Sequence, residues 1–231
     1  MAAETAADPR DDAAARRRIR NRALAIALSV MPFGLSFGAV SVAAGLTLLQ
    51  TCMLSLVLFS GASQFALVSI VAAGGGLGSA LATALLLGTR NGLYATRVAD
   101  LVRPRGWRRA VAAQVTIDES TAMAIAETEH GYATRAFWTT AALVYTLWNL
   151  STLAGALAGR GLGSLPATGL DAAGPAAFFA LIAPRLRVRH LRVTGLVAVA
   201  LAVTCVPLLP VGSPVVVGGV VAALAVAVAR R

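Results

Sequence analysis

Lysine is absent from this 231-residue sequence, so all 20 basic residues are arginine. A chain without lysine cannot form a G-x-x-x-x-G-K-[ST] phosphate loop, which excludes an ATPase of that type. Cysteine is nearly absent too. Cys52 and Cys205 stand in apolar stretches and show neither metal-ligand spacing nor a disulfide framework. We therefore predict no metal site and no cofactor.

Charge is also scarce, since 13% of the residues are charged and 58% are hydrophobic, with a mean hydropathy of +0.76. Soluble domains have about 25% charged and about 45–50% apolar residues. The apolar residues form blocks of about 20 residues, the length a helix needs to cross a bilayer. The sequence predicts an all-α polytopic membrane protein, a helical bundle in contact with the lipid bilayer.

The net charge of +10 comes from arginines between the apolar blocks. Such residues mark the cytoplasmic side of membrane proteins, so they do not indicate a nucleic-acid partner. We predict a disordered cytoplasmic N-terminal tail over residues 1–22 and a single transmembrane domain over residues 23–229. The expected location is the bacterial inner membrane, with a cytoplasmic N-terminus.

Two apolar blocks contain residues that interrupt helices. The first, from Ala23 to about Ala44, holds Pro32, which should kink or interrupt it. The second, from Thr47 to Ala73, is broken by Gly61-Ala-Ser-Gln64. Three full crossings before the next arginine-rich segment would contradict the charge rule. Either residues 47–73 are re-entrant with residues 61–64 at the tip, which we prefer, or residues 110–128 also cross.

Beyond Arg135 the charges are consistent with simple crossings. We expect a span over residues 137–158, a short returning segment at 175–184, and a final hairpin of residues 194–209 and 215–229.

Broken membrane helices expose backbone N–H groups at the start of a half-helix, and these attract a carboxylate. Small residues such as Gly34 and Gly38 can instead serve close helix packing. Asp118 and Glu119 form an acidic pair bracketed by apolar sequence, suited to an ammonium group or a coupling proton. The alternatives are a pair with a membrane-edge arginine or simple exposure. The predicted substrate-binding residues are Pro32, Gly34, Ser36, Gly38, Gly61, Ser63, Gln64, Asp118, Glu119 and Ser120.

A second group, Arg90, Asn91 and Tyr94, lies near the end of the third block, residues 77–99. Arg90 either snorkels to the interface or forms an ion pair with Asp118 or Glu119, in a coupling role. No nucleophile and base arrangement is visible, so we do not predict an enzyme.

Several motifs together resemble the AzlC-like family, the large subunit of branched-chain amino acid exporters. They are Pro32-Phe-Gly-Leu-Ser-Phe-Gly-Ala39, Phe59-Ser-Gly-Ala-Ser-Gln-Phe65, Arg90 with Leu93-Tyr94, Thr116-Ile-Asp-Glu-Ser120 and Leu170-Asp-Ala-Ala-Gly-Pro-Ala-Ala-Phe-Phe179. Asn91 departs from the histidine that the family commonly has there. The resemblance implies permease activity exporting valine or leucine, driven by protons without an ATPase of its own. It also implies a small AzlD-like membrane subunit as partner. The alternatives are a transporter of another small solute and a non-transporting membrane scaffold.

Overall fold

The computed structural model describes residues 9–161, 183, 185–209 and 213–229, and in these ranges the chain is helical without strands. The all-α prediction is thereby confirmed for the described residues. They form nine α-helices: α1 (Pro9–Ala43), α2 (Leu48–Val57), α3 (Gly61–Ala72), α4 (Leu77–Val102), α5 (Trp107–Gln114), α6 (Asp118–Ala126), α7 (Ala133–Gly161), α8 (Arg189–Cys205) and α9 (Ser213–Ala229). A 3₁₀ turn, Arg185–Arg187, precedes α8.

Among the described residues, two helices are long and apolar enough to cross a membrane, over residues 12–43 and 133–161. The first, α1, has 35 residues and is about 52 Å long at 1.5 Å per residue. The predicted span over residues 77–99 corresponds to α4, and the predicted final hairpin corresponds to α8 and α9. The returning segment at 175–184 and the motif at 170–179 lie outside the described residues, apart from Ala183.

The predicted disordered tail is wrong for residues 9–22, which belong to α1. Ala15, Ile19, Ala23 and Ala27, spaced four residues apart, are all buried, so one face of this extension packs against other elements. Burial of this face outweighs the solvating effect of the arginines. Residues 1–8 lie outside the described part of the chain.

Pro32 was predicted to kink or interrupt the first block. The interruption is wrong, because α1 continues through Pro32 as one helix, whereas the kink stays a prediction. Proline removes one backbone donor, but a membrane helix can retain its course when neighbouring helices hold it. The backbone N–H groups after Pro32 are therefore part of a continuous helix. No half-helix begins at residues 32–38.

The block at residues 47–73 is broken, as predicted, but the break lies at residues 58–60. A straight helix would separate residues nine apart by about 13.5 Å along its axis. Gln64 Nε2 lies only 3.3 Å from the carbonyl oxygen of Ser55. The chain therefore departs from a straight helix between α2 and α3, and the Gln64 side chain reaches the end of α2.

A second break separates α5 from α6 at residues 115–117. The alternative prediction for residues 110–128 is that they cross the membrane, and it includes no break at this point. Neither half exceeds 9 residues, about 13.5 Å of helix.

The chain divides into two compact units by its internal contacts. The first comprises the residues up to Pro32 with Asn91–Trp148, and the second comprises Phe33–Arg90 with Asn149–Arg231. The division falls inside α1, α4 and α7, so each unit contains one portion of each of these three helices. The first unit contains the α5–α6 break and the second contains the α2–α3 break.

The first unit has a core drawn from the end of α4, from α5 and α6, and from the beginning of α7. Phe137 is fully buried at its centre and meets Trp138 edge to face, at 5.1 Å between ring centroids. The cluster consists of Val98, Val102, Ala112, Val115, Ala124, Phe137 and Ala141. Residues of both halves of the broken α5–α6 pair thus share one core.

Close glycine packing joins α1 and α7 in the second unit. A Cβ added to Gly38 would collide with the Thr152 carbonyl oxygen and lie 2.7 Å from Ala156 N. A Cβ on Gly155 would collide with the Leu35 carbonyl oxygen. This is the packing alternative for Gly38, and it fixes the two backbones in direct contact.

We expect Gly38→Ala to destabilise the protein by about 1–3 kcal/mol, because backbone atoms must move to admit the methyl group. Gly92→Ala, in α4, is the matched control, since nothing lies within 4 Å of its Cβ position. Alanine favours a helix over glycine by about 0.5–1 kcal/mol, so the control should be neutral or slightly stabilising. The thermal unfolding midpoint in detergent measures the stability of both variants. Equal midpoints for the two variants would contradict the close packing.

Candidate functional site

The break between α2 and α3 places two helix ends close together. Leu58 leaves the helical conformation at φ −95° and ψ 64°, and Ser60 is extended at φ −155° and ψ 100°. Ser60 is the N-cap of α3 but makes no side-chain capping hydrogen bond. The first N–H groups of α3, from Gly61 to Ser63, have no acceptor within the helix. They form the positive end of its dipole.

Gln64 is fully buried in the first turn of α3. Its Nε2 donates to the carbonyl oxygens of Leu54 at 3.4 Å and Ser55 at 3.3 Å, near the end of α2. Its Oε1 has no hydrogen-bond partner among the described residues. A buried amide oxygen without a donor is costly, so this atom is suited to accept a hydrogen bond from a bound molecule.

Three longer helices of the same unit surround the break. Ser63 Oγ donates to the Ala84 carbonyl oxygen of α4 at 2.8 Å and lies 3.2 Å from Ser60 Oγ. In α2, Ser55 Oγ donates to Thr152 Oγ1 of α7 at 3.3 Å. In α1, Phe37 meets Phe65 of α3 edge to face at 5.6 Å between ring centroids. The break is therefore buried and held by polar contacts on several sides.

This geometry can serve both ends of a zwitterion. The last carbonyl groups of α2 carry partial negative charge, and the first N–H groups of α3 carry partial positive charge. Only three residues, 58–60, separate the two helix ends. A carboxylate suits the start of α3, while an ammonium group suits Gln64 Oε1 and the end of α2.

The break between α5 and α6 is capped from within. Ser120 Oγ accepts a hydrogen bond from Ile117 N at 3.1 Å and donates to the Val115 carbonyl oxygen at 2.8 Å. Thr116 Oγ1 donates to the Ala112 carbonyl oxygen at 2.6 Å. The predicted site residue Ser120 is thus a capping residue of α6.

Asp118 and Glu119 occupy the first turn of α6, where both are half-buried. Carboxylates at this position are stabilised by the helix dipole. Their negative charge disfavours a second anion and favours a cation or a proton. The α6 start therefore differs in chemistry from the uncharged α3 start.

Glu127 was not among the predicted site residues, yet it is the most buried acidic side chain described, at 1% exposure. It ends α6 and accepts hydrogen bonds from Arg18 Nη2 at 2.7 Å and Arg22 Nη1 at 3.1 Å. His130 Nδ1 lies 3.9 Å from Glu127 Oε2. The two arginines are 109 and 105 residues away in sequence, so no local pattern could predict the cluster.

A neighbouring contact joins the same two segments. The side chains of Asp12 in α1 and Tyr132, before α7, are hydrogen-bonded. Burial, and then this hydrogen bond to the carboxylate, raise the pKa of Tyr132 above its ordinary value. Tyr132 therefore remains a neutral donor at physiological pH.

A family model for the AzlC protein matches residues 25–162, more than half of the chain. The chain belongs to the AzlC family. Membership indicates a function related to membrane transport. No curated protein and no solved structure gives a significant match.

The AzlC match includes both helix breaks, and it includes Glu127. Arg18 and Arg22 precede its first residue. The arginine partners of Glu127 therefore belong to an N-terminal extension of α1 outside the part of this chain that matches the AzlC model.

The remaining predicted residues lie on continuous helices of this AzlC protein. Gly34, Ser36 and Gly38 are buried in α1, whereas Pro32 is exposed. Without a half-helix at this point, the physical reason for substrate binding by Pro32, Gly34 and Gly38 is lost. Arg90, Asn91 and Tyr94 are half-buried in α4. The division between the two units falls between Arg90 and Asn91.

Proposed function

We propose that this chain is an inner-membrane transporter subunit that exports branched-chain amino acids such as valine and leucine. Membership of the AzlC family supports a transport function. The chain cannot form a lysine-containing phosphate loop, so we propose that the proton gradient drives export. A small AzlD-like membrane protein is the proposed partner, and the N-terminus is proposed to be cytoplasmic.

The observation that carries this proposal is the buried break between α2 and α3. Gln64 Oε1 has no hydrogen-bond partner in the described residues, and the adjacent α3 start has uncapped N–H groups. In our proposal the substrate carboxylate binds the N–H groups of Gly61 to Ser63, and the ammonium group donates to Gln64. Broken membrane helices supply such groups at bilayer depth without a charged side chain.

The apolar side chain of the substrate needs an apolar wall. Phe37, Phe59 and Phe65 are all buried, and they flank the same break from α1, from residues 58–60 and from α3. Phenyl rings favour a branched aliphatic side chain over a polar one. They do not distinguish valine from leucine strongly, because one methylene is worth about 1–3 kcal/mol.

A non-transporting scaffold remains the second candidate, because the contacts of Gly38 and Gly155 serve packing alone. A scaffold needs these glycines but has no use for an acceptor at Gln64 Oε1. The two candidates therefore differ in the effect of replacing Gln64.

We expect Gln64→Leu to reduce efflux of labelled valine by about five- to 100-fold, the effect of losing one or two buried hydrogen bonds to the substrate. Efflux is measured from cells producing the chain together with the small subunit. Gln114→Leu, at an exposed position in α5, is the control and should retain transport. Thermal unfolding of both variants in detergent separates lost binding from lost folding. Full valine efflux by a folded Gln64→Leu protein would exclude the proposed site, and no valine efflux by the unmodified chain would favour the scaffold.

A further inference from the structure

Five arginines lie within seven residues of the α1 extension: Arg16, Arg17, Arg18, Arg20 and Arg22. Three of them have acidic partners in the structure. Arg16 pairs with Asp12, and Arg18 and Arg22 pair with Glu127. Arg17 and Arg20 are exposed, and none of the described acidic residues forms an ion pair with them.

The two remaining arginines continue an exposed apolar face of α1. Leu24 is 41% exposed and Leu28 is 51% exposed. At 100° per residue, both lie on the same side of the helix as Arg17, and Arg20 lies at the border of that side. In a membrane helix, exposed leucines face acyl chains. Arg17 and Arg20 therefore extend the lipid-facing side of α1 toward the cytoplasm.

The axial spacing places the two arginines near the headgroup layer. Arg20 is four residues before Leu24, about 6 Å along the axis, and Arg17 is about 10.5 Å before it. The headgroup layer on each side of the hydrocarbon is roughly 5–8 Å thick. If the acyl region begins near Leu24, the backbone of Arg20 lies within this layer and that of Arg17 lies just outside it, a distance that the long arginine side chain can cover.

The surface beside these residues is also open. A depression of about 470 Å³ is lined by Ala13, Ala14, Arg17, Arg18 and Asn21. The small alanine side chains leave room beside Arg17, and Asn21 adds a polar group. A guanidinium group binds a phosphate through paired N–H groups, which suits a phosphodiester at this depth.

We propose that Arg17 and Arg20 bind the phosphate of an anionic phospholipid at the cytoplasmic surface. This inference rests on the proposed membrane location. Arg18 also lines the depression. We do not assign Arg18 or Arg22 to the phosphate, because Glu127 already balances part of their charge. The bound lipid anchors the extension of α1 at the membrane surface.

The test measures the affinity of the full-length protein for spin-labelled phosphatidylglycerol relative to spin-labelled phosphatidylcholine in reconstituted vesicles. We expect a preference for phosphatidylglycerol that falls about fivefold with Arg17→Gln and again with Arg20→Gln. Arg16→Gln removes the same charge from another side of the same helix and should leave the preference nearly unchanged. An unchanged preference in the Arg17→Gln, Arg20→Gln double variant would overturn the proposal, as would an equal loss in Arg16→Gln.

Two further measurements distinguish the possible causes of a negative result. Inorganic phosphate added at constant ionic strength should leave the lipid preference intact. If phosphate abolishes this preference, the arginines bind a soluble anion instead. Resistance of each variant to alkaline extraction from membranes reports insertion itself. If the unmodified chain inserts normally but shows no preference for phosphatidylglycerol, the lipid site alone is contradicted. Failure of the unmodified chain to insert contradicts the proposed membrane location.

Discussion

Replacing Arg18 and Arg22 together by alanine should destabilise the protein by about 3–5 kcal/mol, whereas Glu127→Gln alone should have a much smaller effect. The asymmetry follows from burial. Glu127 is 1% exposed, while Arg18 and Arg22 are 46% and 57% exposed. Arginines that lose their partner can be hydrated, but a buried carboxylate that loses both partners cannot.

The position of Glu127 at the end of α6 increases the effect. The end of a helix carries partial negative charge, which repels a carboxylate and attracts the two guanidinium groups. His130 Nδ1, at 3.9 Å from Glu127 Oε2, offers a cation only when the imidazole is protonated. The double arginine variant should therefore leave an uncompensated charge at a helix end.

The decisive comparison is the triple variant that adds Glu127→Gln to the two alanine substitutions. We expect it to be more stable than the double variant, because it removes the uncompensated charge. Arg17→Ala with Arg20→Ala, measured in a neutral detergent, changes the net charge equally and should have little effect. Unfolding midpoints on heating measure the stability of these four variants and of the unmodified protein. A triple variant no more stable than the double variant would show that the Glu127 charge is not the cause.

The cluster around Glu127 illustrates what sequence reasoning cannot reach. The apolar blocks have a length set by the bilayer, so the helical class follows from local composition. The pairing of Glu127 with Arg18 and Arg22 depends on which segments pack together, and one sequence does not contain that information. The same holds for the contact of Gly38 with Thr152. The sequence alone leaves both helix packing and substrate binding open for this glycine.

Local signals explain the partial success at the helix breaks. Gly61-Ala-Ser-Gln64 interrupts an apolar block with small and polar residues, which correctly predicted a break. The interruption itself lies slightly earlier, because Ser60 is extended as an N-cap and Gly61 begins α3. Pro32 is the opposite case. A proline permits an interruption but does not require one, and α1 is continuous at this residue.

The sequence also contains local features that favour the second break and the helical α1 extension. Asp118 and Glu119 after β-branched Val115, Thr116 and Ile117 are typical of a helix beginning, because acidic residues favour the first turn. The alanine-rich residues 13–15, with Asp12 and Arg16 four apart, favour a helix. Ionised side chains also occur on the exposed side of an amphipathic helix, so their presence alone does not predict a solvated tail.

Replacing Asp118 by Asn and Glu119 by Gln should abolish proton-driven export while leaving the fold intact. If one proton accompanies each substrate, a pH difference of one unit sustains roughly a tenfold valine gradient. Asn and Gln cannot take up a proton but retain the size of the acids and one of their two acceptor oxygens at the start of α6. Without a titratable group on this turn, the variant should build no valine gradient.

The measurement uses vesicles containing the chain and its small subunit, with a pH difference imposed across the membrane. The variant should still exchange labelled for unlabelled valine, because the proposed substrate contacts at Gly61 to Gln64 are unchanged. Asp100→Asn with Glu129→Gln removes two exposed carboxylates and should preserve both activities. A valine gradient formed by the Asp118→Asn, Glu119→Gln protein would show that the coupling proton travels elsewhere. Loss of exchange as well would place these carboxylates in substrate binding, because exchange requires the substrate to bind but does not require a proton gradient. Asp118 and Glu119 are the only acidic pair in the sequence with mostly apolar residues on both sides.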